Sequence, residues 1–317
     1  MRENMGTGSG KGKVILFGEH FVVYGLPALA AGISSVTTAK LTRVRSFGHT
    51  LVDNRPAMPG YKKTKYDEQK ASLENILKHL NIDTTKMGFQ IDLEGDLVCA
   101  SGIGASAASC VAIVRSLNDE FKLGLNDEQV NEAAYEGEKG YHGTPSGLDN
   151  TASTYGGLVW FERDLSGGPP KFEKLKLTKA IHLVIASTGI TASTKMVVGA
   201  VKIKKDANLK WWDEISEKYN QLVHNGKTAL IQMDLPKIGE LMNKNHELLQ
   251  ELTVSCEELD NLVKVARENG AIGAKMTGTG RGGNMIALAP DEATAKQIAD
   301  ALEKAKAAGV WLTSFGL

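Results

Sequence analysis

The chain has 317 residues, 42% of them hydrophobic, which is enough for two domains with substantial cores. Lysine plus arginine equals aspartate plus glutamate at 37 each, so the net charge is zero; this argues against a general nucleic-acid binder, which needs a basic excess, but not against a site for one small anion. Three cysteines (Cys99, Cys110, Cys256) without a CxxC and seven scattered histidines indicate neither a disulfide framework nor a zinc site, and they fit a reducing, cytoplasmic setting.

The N-terminal MRENMGTGSGKGK lacks the hydrophobic core of a signal peptide, and residues 1–10 read as disordered. No apolar run reaches the roughly 18 residues of a membrane-spanning helix, so no membrane partner is expected. KVILF at 13–17 predicts a strand, which GEH interrupts and FVVYGLPALAAGI resumes. Residues 37–44 alternate weakly like a strand, and 48–66 read as a polar loop. A helix is expected over 67–80, with Leu73, Ile76, Leu77 and Leu80 on one face. GFQIDLE at 88–94 alternates like a strand. CASGIGASAAS at 99–109 is made almost wholly of small residues. Cys110, Ile113, Val114, Leu117 and Phe121 then form a helical stripe. A second helix starts near Asn126, with Gln129 completing a capping box, and runs to about Gly140.

GTPSGLDN reads as a turn-rich loop and GGLVWFE as a strand. SGGPPK breaks the pattern, and IHLVIAS predicts another strand. A domain boundary is expected between 183 and 184, giving domains 1–183 and 184–317. Two helices follow, then a third over SCEELDNLVKVARENG with Ser255 as its cap and Gly270 as its stop. Strand AIGAKM, glycine loop TGTGRGG, strand NMIALA, a helix over 291–308 and strand VWLTSF complete an α+β sandwich.

Four stretches could carry chemistry. In the first, Gly102 and Gly104 allow positive φ before a helix whose leading N–H groups lack internal partners, a favourable place for phosphate. Ser106 and Ser109 add hydroxyls. The stretch fits neither GxxxxGK[ST] nor GxGxxG, and a tight helix–sheet contact would also explain its small residues. In the second, Glu138 and Asp149 flank HGTPSGLDN and either converge, one on a metal and one as a base, or are two solvated carboxylates. The third is Lys13 with Gly18-Glu19-His20, read as a strand end at a cleft or as an ordinary bulge. The fourth, KMTGTGRGG at 275–283, is longer than a hairpin needs, which suggests backbone approach to a ligand.

Taken together and in this order, GKVILFGEHFVVYGLPALA, SGIGASAAS, HGTPSGLDNTASTYGG and KMTGTGRGG resemble the motifs of the GHMP small-molecule kinases over nearly the whole chain. GEHFVVYG, without the Thr-Asp-Tyr run that follows GEH in galactokinases, is most similar to the branch acting on mevalonate. The resemblance implies a ribosomal-protein-S5-domain-2-like N-terminal domain and a ferredoxin-like C-terminal one, with transfer of the ATP γ-phosphoryl group to a small alcohol. It also implies residue roles. Asp149 would be the catalytic base and Lys13 the cation polarising hydroxyl and phosphate. Ser106 and Glu138 would hold Mg²⁺. Ser101, Gly102, Ile103, Gly104, Ala105, Ser106, Ala107 and Ser146 would line the ATP phosphates, and Glu19, His20 and Thr194 the substrate. The chain departs from the family pattern at Ala105, where serine is usual, at Arg281, where glycine is common, and in lacking a proline upstream of the phosphate loop. The partners implied are therefore ATP and mevalonate. Oligomeric state is not set by the sequence, and a homodimer is compatible with it.

Overall fold

A computed structural model describes residues 5–100 and 102–316. The chain forms two compact units and passes between them several times. The first takes the described residues up to Lys13, Ser34–Ala100 and Gly104–Gly156; the second takes Val14–Ile33, residues 102–103 and Gly157 onward. The expected boundary at 183/184 falls inside one strand of the second unit, Ile181–Ser187.

In the first unit, β3 (Gly48–Asp53) runs parallel to β4 (Gly88–Glu94), and β4 pairs antiparallel with the latter part of β2 (Ala28–Val44), in register from Thr38↔Glu94 to Val44↔Gly88. Alternation in β2 and β4 puts Leu41, Phe89, Ile91 and Leu93 on one face. Onto that face pack α2 (Tyr66–His79), α3 (Ala105–Phe121) and α4 (Asp127–His142). Their expected stripes, Leu73, Ile76 and Leu77 in α2 and Cys110, Ile113, Val114 and Leu117 in α3, are buried there as one core. The capping box at the start of α4 is present: Asn126 Oδ1 accepts from Gln129 N–H at 2.9 Å, and Gln129 Oε1 accepts from Asn126 N–H at 3.0 Å. The helix α5 (Leu148–Tyr155) completes the unit.

In the second unit, the first part of β2 pairs with β5 (Leu158–Glu162), and β5 with β6 (Lys171–Leu175). A separate sheet has the order β10-β7-β9-β8, all antiparallel, from β7 (Ile181–Ser187), β8 (Gly273–Thr277), β9 (Asn284–Ala289) and β10 (Gly309–Phe315). Helices α6 (Thr194–Ala207), α7 (Leu209–Gln232), α8 (Leu235–Glu251) and α9 (Glu257–Glu268) join β7 to β8, and α10 (Glu292–Lys304) joins β9 to β10. This is the ferredoxin-like connection, with extra helices in its first crossover. Among the described residues, no helix is long and apolar enough to cross a membrane.

The structure corrects several sequence expectations. Residues 5–10 are not disordered: β1 spans Met5–Phe17 and pairs with β2. Its alternate glycines lie flat on α3. A Cβ on Gly6, Gly8 or Gly10 would come within 2.4, 2.4 and 2.2 Å of the carbonyl oxygens of Ser116, Ala112 and Ala108. Two strand residues advance about 6.8 Å and four helix residues about 6 Å, so successive glycines meet successive helical turns. The supposed loop 48–66 contains β3 and the short α1 (Tyr61–Thr64). FVVY is a 3₁₀ turn (Phe21–Tyr24) and not a strand. Asp149 sits in the first turn of α5, not in a loop. Ser255 does not cap α9; Cys256 holds that position, while the Ser255 hydroxyl donates to Asp260. Three helices, not two, lie between β7 and α9.

Candidate active site

In the first unit the site is built around the start of α3. Gly104 is the N-cap at φ +72°, and with no side chain it leaves the leading N–H groups uncapped. A Cβ there would lie 2.6 Å from Lys13 Cγ, so the helix end is seated directly on the Lys13 stem. In the second unit Gly102, at φ +88°, has Thr277 O at 3.2 Å from the corresponding point. Of the two explanations offered by the sequence, the tight contact accounts for part of the stretch. Ala105, Ala107 and Ala108 are small because they are buried in the helix contact. Gly102 and Ser106 are part-exposed, whereas Gly104 is buried against Lys13. Ser109 is withdrawn from the candidate site, because its hydroxyl donates to Ala105 O at 2.8 Å inside the core. Ser101 lies outside the described residues.

Lys13, only 2% exposed, ion-pairs with Asp149 at 3.1 Å, and Asp149 keeps 31% exposure. Gly147 at φ +88° starts α5, and Ser146 Oγ accepts from Leu148 N–H at 3.3 Å, so the PSG turn aims the carboxylate at the lysine. Asn150 ties α5 to α4 through the Asn131 carboxamide at 2.7 Å. Glu138 projects from α4 and is buried; burial, reinforced by the charge of Asp149, pushes its carboxyl up to about 8. The Cys110 thiol donates to its Oε1 at 3.8 Å. Its Oε2 is buried with no hydrogen-bond partner among the described residues and lies 3.7 Å from His142 Nε2, which in turn lies 3.5 Å from Ser106 Oγ.

An orphaned carboxylate oxygen next to a helix-end hydroxyl is a donor set that suits a hard cation such as Mg²⁺, which accepts oxygen ligands and retains waters. Among the described residues, no group of three His, Cys, Asp or Glu forms a fuller cage. His142 was not singled out by sequence reasoning, although it opens the HGTPSG run. Beside Ser106 a cleft is lined by Asp53, Arg55, Lys62, Lys65 and Tyr141. Arg55 is buried, pairs with Asp53 at 2.6 Å and donates to Ala105 O at 3.0 Å, holding the first turn of α3.

In the second unit, Glu19 and His20 form a buried corner between β1 and the 3₁₀ turn. His20 Nε2 donates to Thr279 O at 2.7 Å, and burial lowers its ring to about 4, keeping it neutral. Thr194, the first residue of α6, shares a 2.8 Å hydrogen bond with the Thr279 hydroxyl, so Thr279 joins two expected site residues. Thr277 Oγ1 accepts from Ile15 N–H at 3.2 Å. Lys275, at 0% exposure, ion-pairs with Glu19. Sequence reasoning missed both Thr279 and Lys275; the one signal was a lysine standing in an otherwise apolar strand before the glycine loop. Arg281 does not reach into this cluster: it is exposed and its Nε donates to Thr253 O at 3.1 Å.

Comparisons with known proteins converge on one group. A family model described as GHMP kinases N terminal domain matches residues 70–157, and one described as GHMP kinases C terminal matches residues 227–308. Mevalonate kinases of Pyrococcus furiosus and Pyrococcus horikoshii are 32% and 33% identical to the chain, with 92% of each chain covered. Among solved structures, L. major mevalonate kinase in complex with R-mevalonate superposes with a TM-score of 0.95 at 41% identity, covering 99% of this chain and 98% of that one. The Methanococcus jannaschii mevalonate kinase superposes with a TM-score of 0.80 at 26% identity, covering 98% of both.

Proposed function

The chain belongs to the GHMP kinase family, ATP-dependent kinases of small molecules, and from that premise we propose that it is a mevalonate kinase, transferring the ATP γ-phosphoryl group to the 5-hydroxyl of (R)-mevalonate on the way to isoprenoid precursors. The Lys13–Asp149 ion pair, beside the uncapped start of α3, carries the mechanistic reading.

A primary alcohol ionises far above neutral pH, so its attack needs a base at hand. Asp149 accepts the hydroxyl proton, and a positioned base is worth about 10²–10⁴-fold. Lys13 orients that carboxylate and offers its ammonium to the oxygen that becomes anionic and to the transferring phosphate. The backbone N–H groups at Gly102, Ile103, Gly104, Ala105, Ser106 and Ala107, together with the Ser146 hydroxyl, cradle the phosphates. Serine at position 105 is dispensable for this, because the cradle is backbone. Ser106 and Glu138 would hold Mg²⁺, which when bound neutralises phosphate charge. Glu19, His20 and Thr194 bind mevalonate.

A coupled ADP-release assay across mevalonate, phosphomevalonate, homoserine and galactose tests the assignment. Turnover is expected with mevalonate. None with mevalonate would overturn the substrate and leave the family membership standing.

A further inference from the structure

The corner that carries Glu19 and His20 is held against its own backbone preference. His20 has φ +63° and ψ −37°, and Phe21 N–H donates to Glu19 O at 2.8 Å. A hydrogen bond two residues apart across a positive-φ, non-glycine centre is the rare, strained form of γ-turn. Such strain persists only where the surroundings over-determine it.

The constraints lie on both sides of the turn. On one side, the fully buried Lys275 ion-pairs with Glu19 while its Nζ also donates to Met276 O at 2.7 Å and to Ile15 O at 3.4 Å. On the other, Phe21 stacks on Tyr219 with centroids 4.0 Å apart. The ring itself is tied to Thr279 O. A carbonyl oxygen can only accept, so the ring proton must sit on Nε2, and Nδ1 is left as an acceptor. Nδ1 is buried and has no hydrogen-bond partner among the described residues. A bare imidazole nitrogen takes an O–H donor and offers nothing to a carboxylate or phosphate oxygen.

We infer that Lys275 is a positioning residue: through Glu19 it locks the strained turn so that His20 Nδ1 accepts a hydrogen bond from a hydroxyl of the phosphoryl acceptor. The inference rests on the reading of Glu19 and His20 as substrate-binding residues. A purely structural ion pair would instead lower stability without separating the two substrates.

The test uses the full-length enzyme. Lys275→Met and Lys275→Arg are assayed with ATP and mevalonate each varied, and ¹⁵N-histidine NMR follows His20, assigned by its loss in His20→Gln. In the wild type the Nε2-protonated tautomer is expected, with the Nδ1 resonance moving when mevalonate is added. Lys275→Met should raise KM for mevalonate at least about tenfold and leave KM for ATP within about twofold. Lys275→Arg, which keeps the charge, should show a smaller rise of the same kind; it carries the kinetic test if the methionine variant does not fold. Unchanged KM for mevalonate in a folded variant, an equal rise in both KM values, or an Nδ1-protonated His20 would overturn the inference. Wild-type enzyme inert toward mevalonate would overturn the functional reading instead.

Discussion

Three side chains in the first unit divide the chemistry by their surroundings. Asp149 keeps contact with solvent and has a lysine partner; Glu138, eleven residues earlier, is buried with one oxygen unpartnered. Burial drives the Glu138 carboxyl toward its neutral form until a cation is supplied. Asp149→Asn should leave ATP binding nearly intact while kcat falls at least about 10²-fold, measured by steady-state kinetics with nucleotide titration alongside. Near-normal turnover would remove Asp149 from the base role. Lys13, Glu138 and Asp149 were singled out in the sequence by their place in the motifs, and the roles proposed for them came from the family resemblance. The residues alone left Ser106 and Ser109 as alternatives, and Ser109 is seen bonded to the backbone inside the core. Lys275 was passed over because its value depends on a partner 256 positions away.

At the scale of elements, the contact between β1 and α3 sets where Lys13 and the start of α3 stand. Gly6, Gly8 and Gly10 let the strand lie against helix carbonyls, and the same strand carries Lys13 against Gly104. Gly8→Ala would bring a methyl within 2.4 Å of both Ala112 O and Ser116 N. It should destabilise the enzyme by about 1–3 kcal/mol, read as a lower urea midpoint. An unchanged midpoint would mean that β1 is not seated as described. A glycine-rich N-terminus was read as a tail because composition alone does not separate flexible chain from strand; the Gly-x-Gly-x-Gly alternation was the usable signal. The start of α4 was legible in full, since a capping box is local chemistry between residues three apart. The helical start at Asp149 was not, because a Pro-Ser-Gly turn leading into eight helical residues looks like loop.

For the whole molecule, buried histidines couple folding to pH. Burial lowers His20 to about 4 and His246 in the same direction, the latter against the pull of Asp260. In the unfolded chain both protonate near 6.5, so between that pH and about 4 the unfolded state binds more protons. Their contribution is fully present above 6.5 and is lost as the pH falls, amounting to about 3 kcal/mol for His20 at the acid end. Glu138, pushed up to about 8, works in the opposite direction over the same range, so the histidine effect is read by comparison: between pH 7 and 4.5 the melting temperature of His20→Gln and of His246→Gln should each fall less, or rise more, than that of the wild type, and an unaltered slope in both variants would contradict the burial argument. The sequence by itself determined the four motifs, the apolar faces of α2 and α3, the capping of α4 and the ferredoxin-like alternation of the second half, because each depends on residues near one another along the chain. Tertiary structure alone decided that the glycine tail is a strand, that the Ser109 hydroxyl is bonded to Ala105 O in the core, that Thr279 joins His20 to Thr194, and that Lys275 holds Glu19. Those outcomes depend on which distant segment fills the space beside each side chain, and no local pattern encodes that.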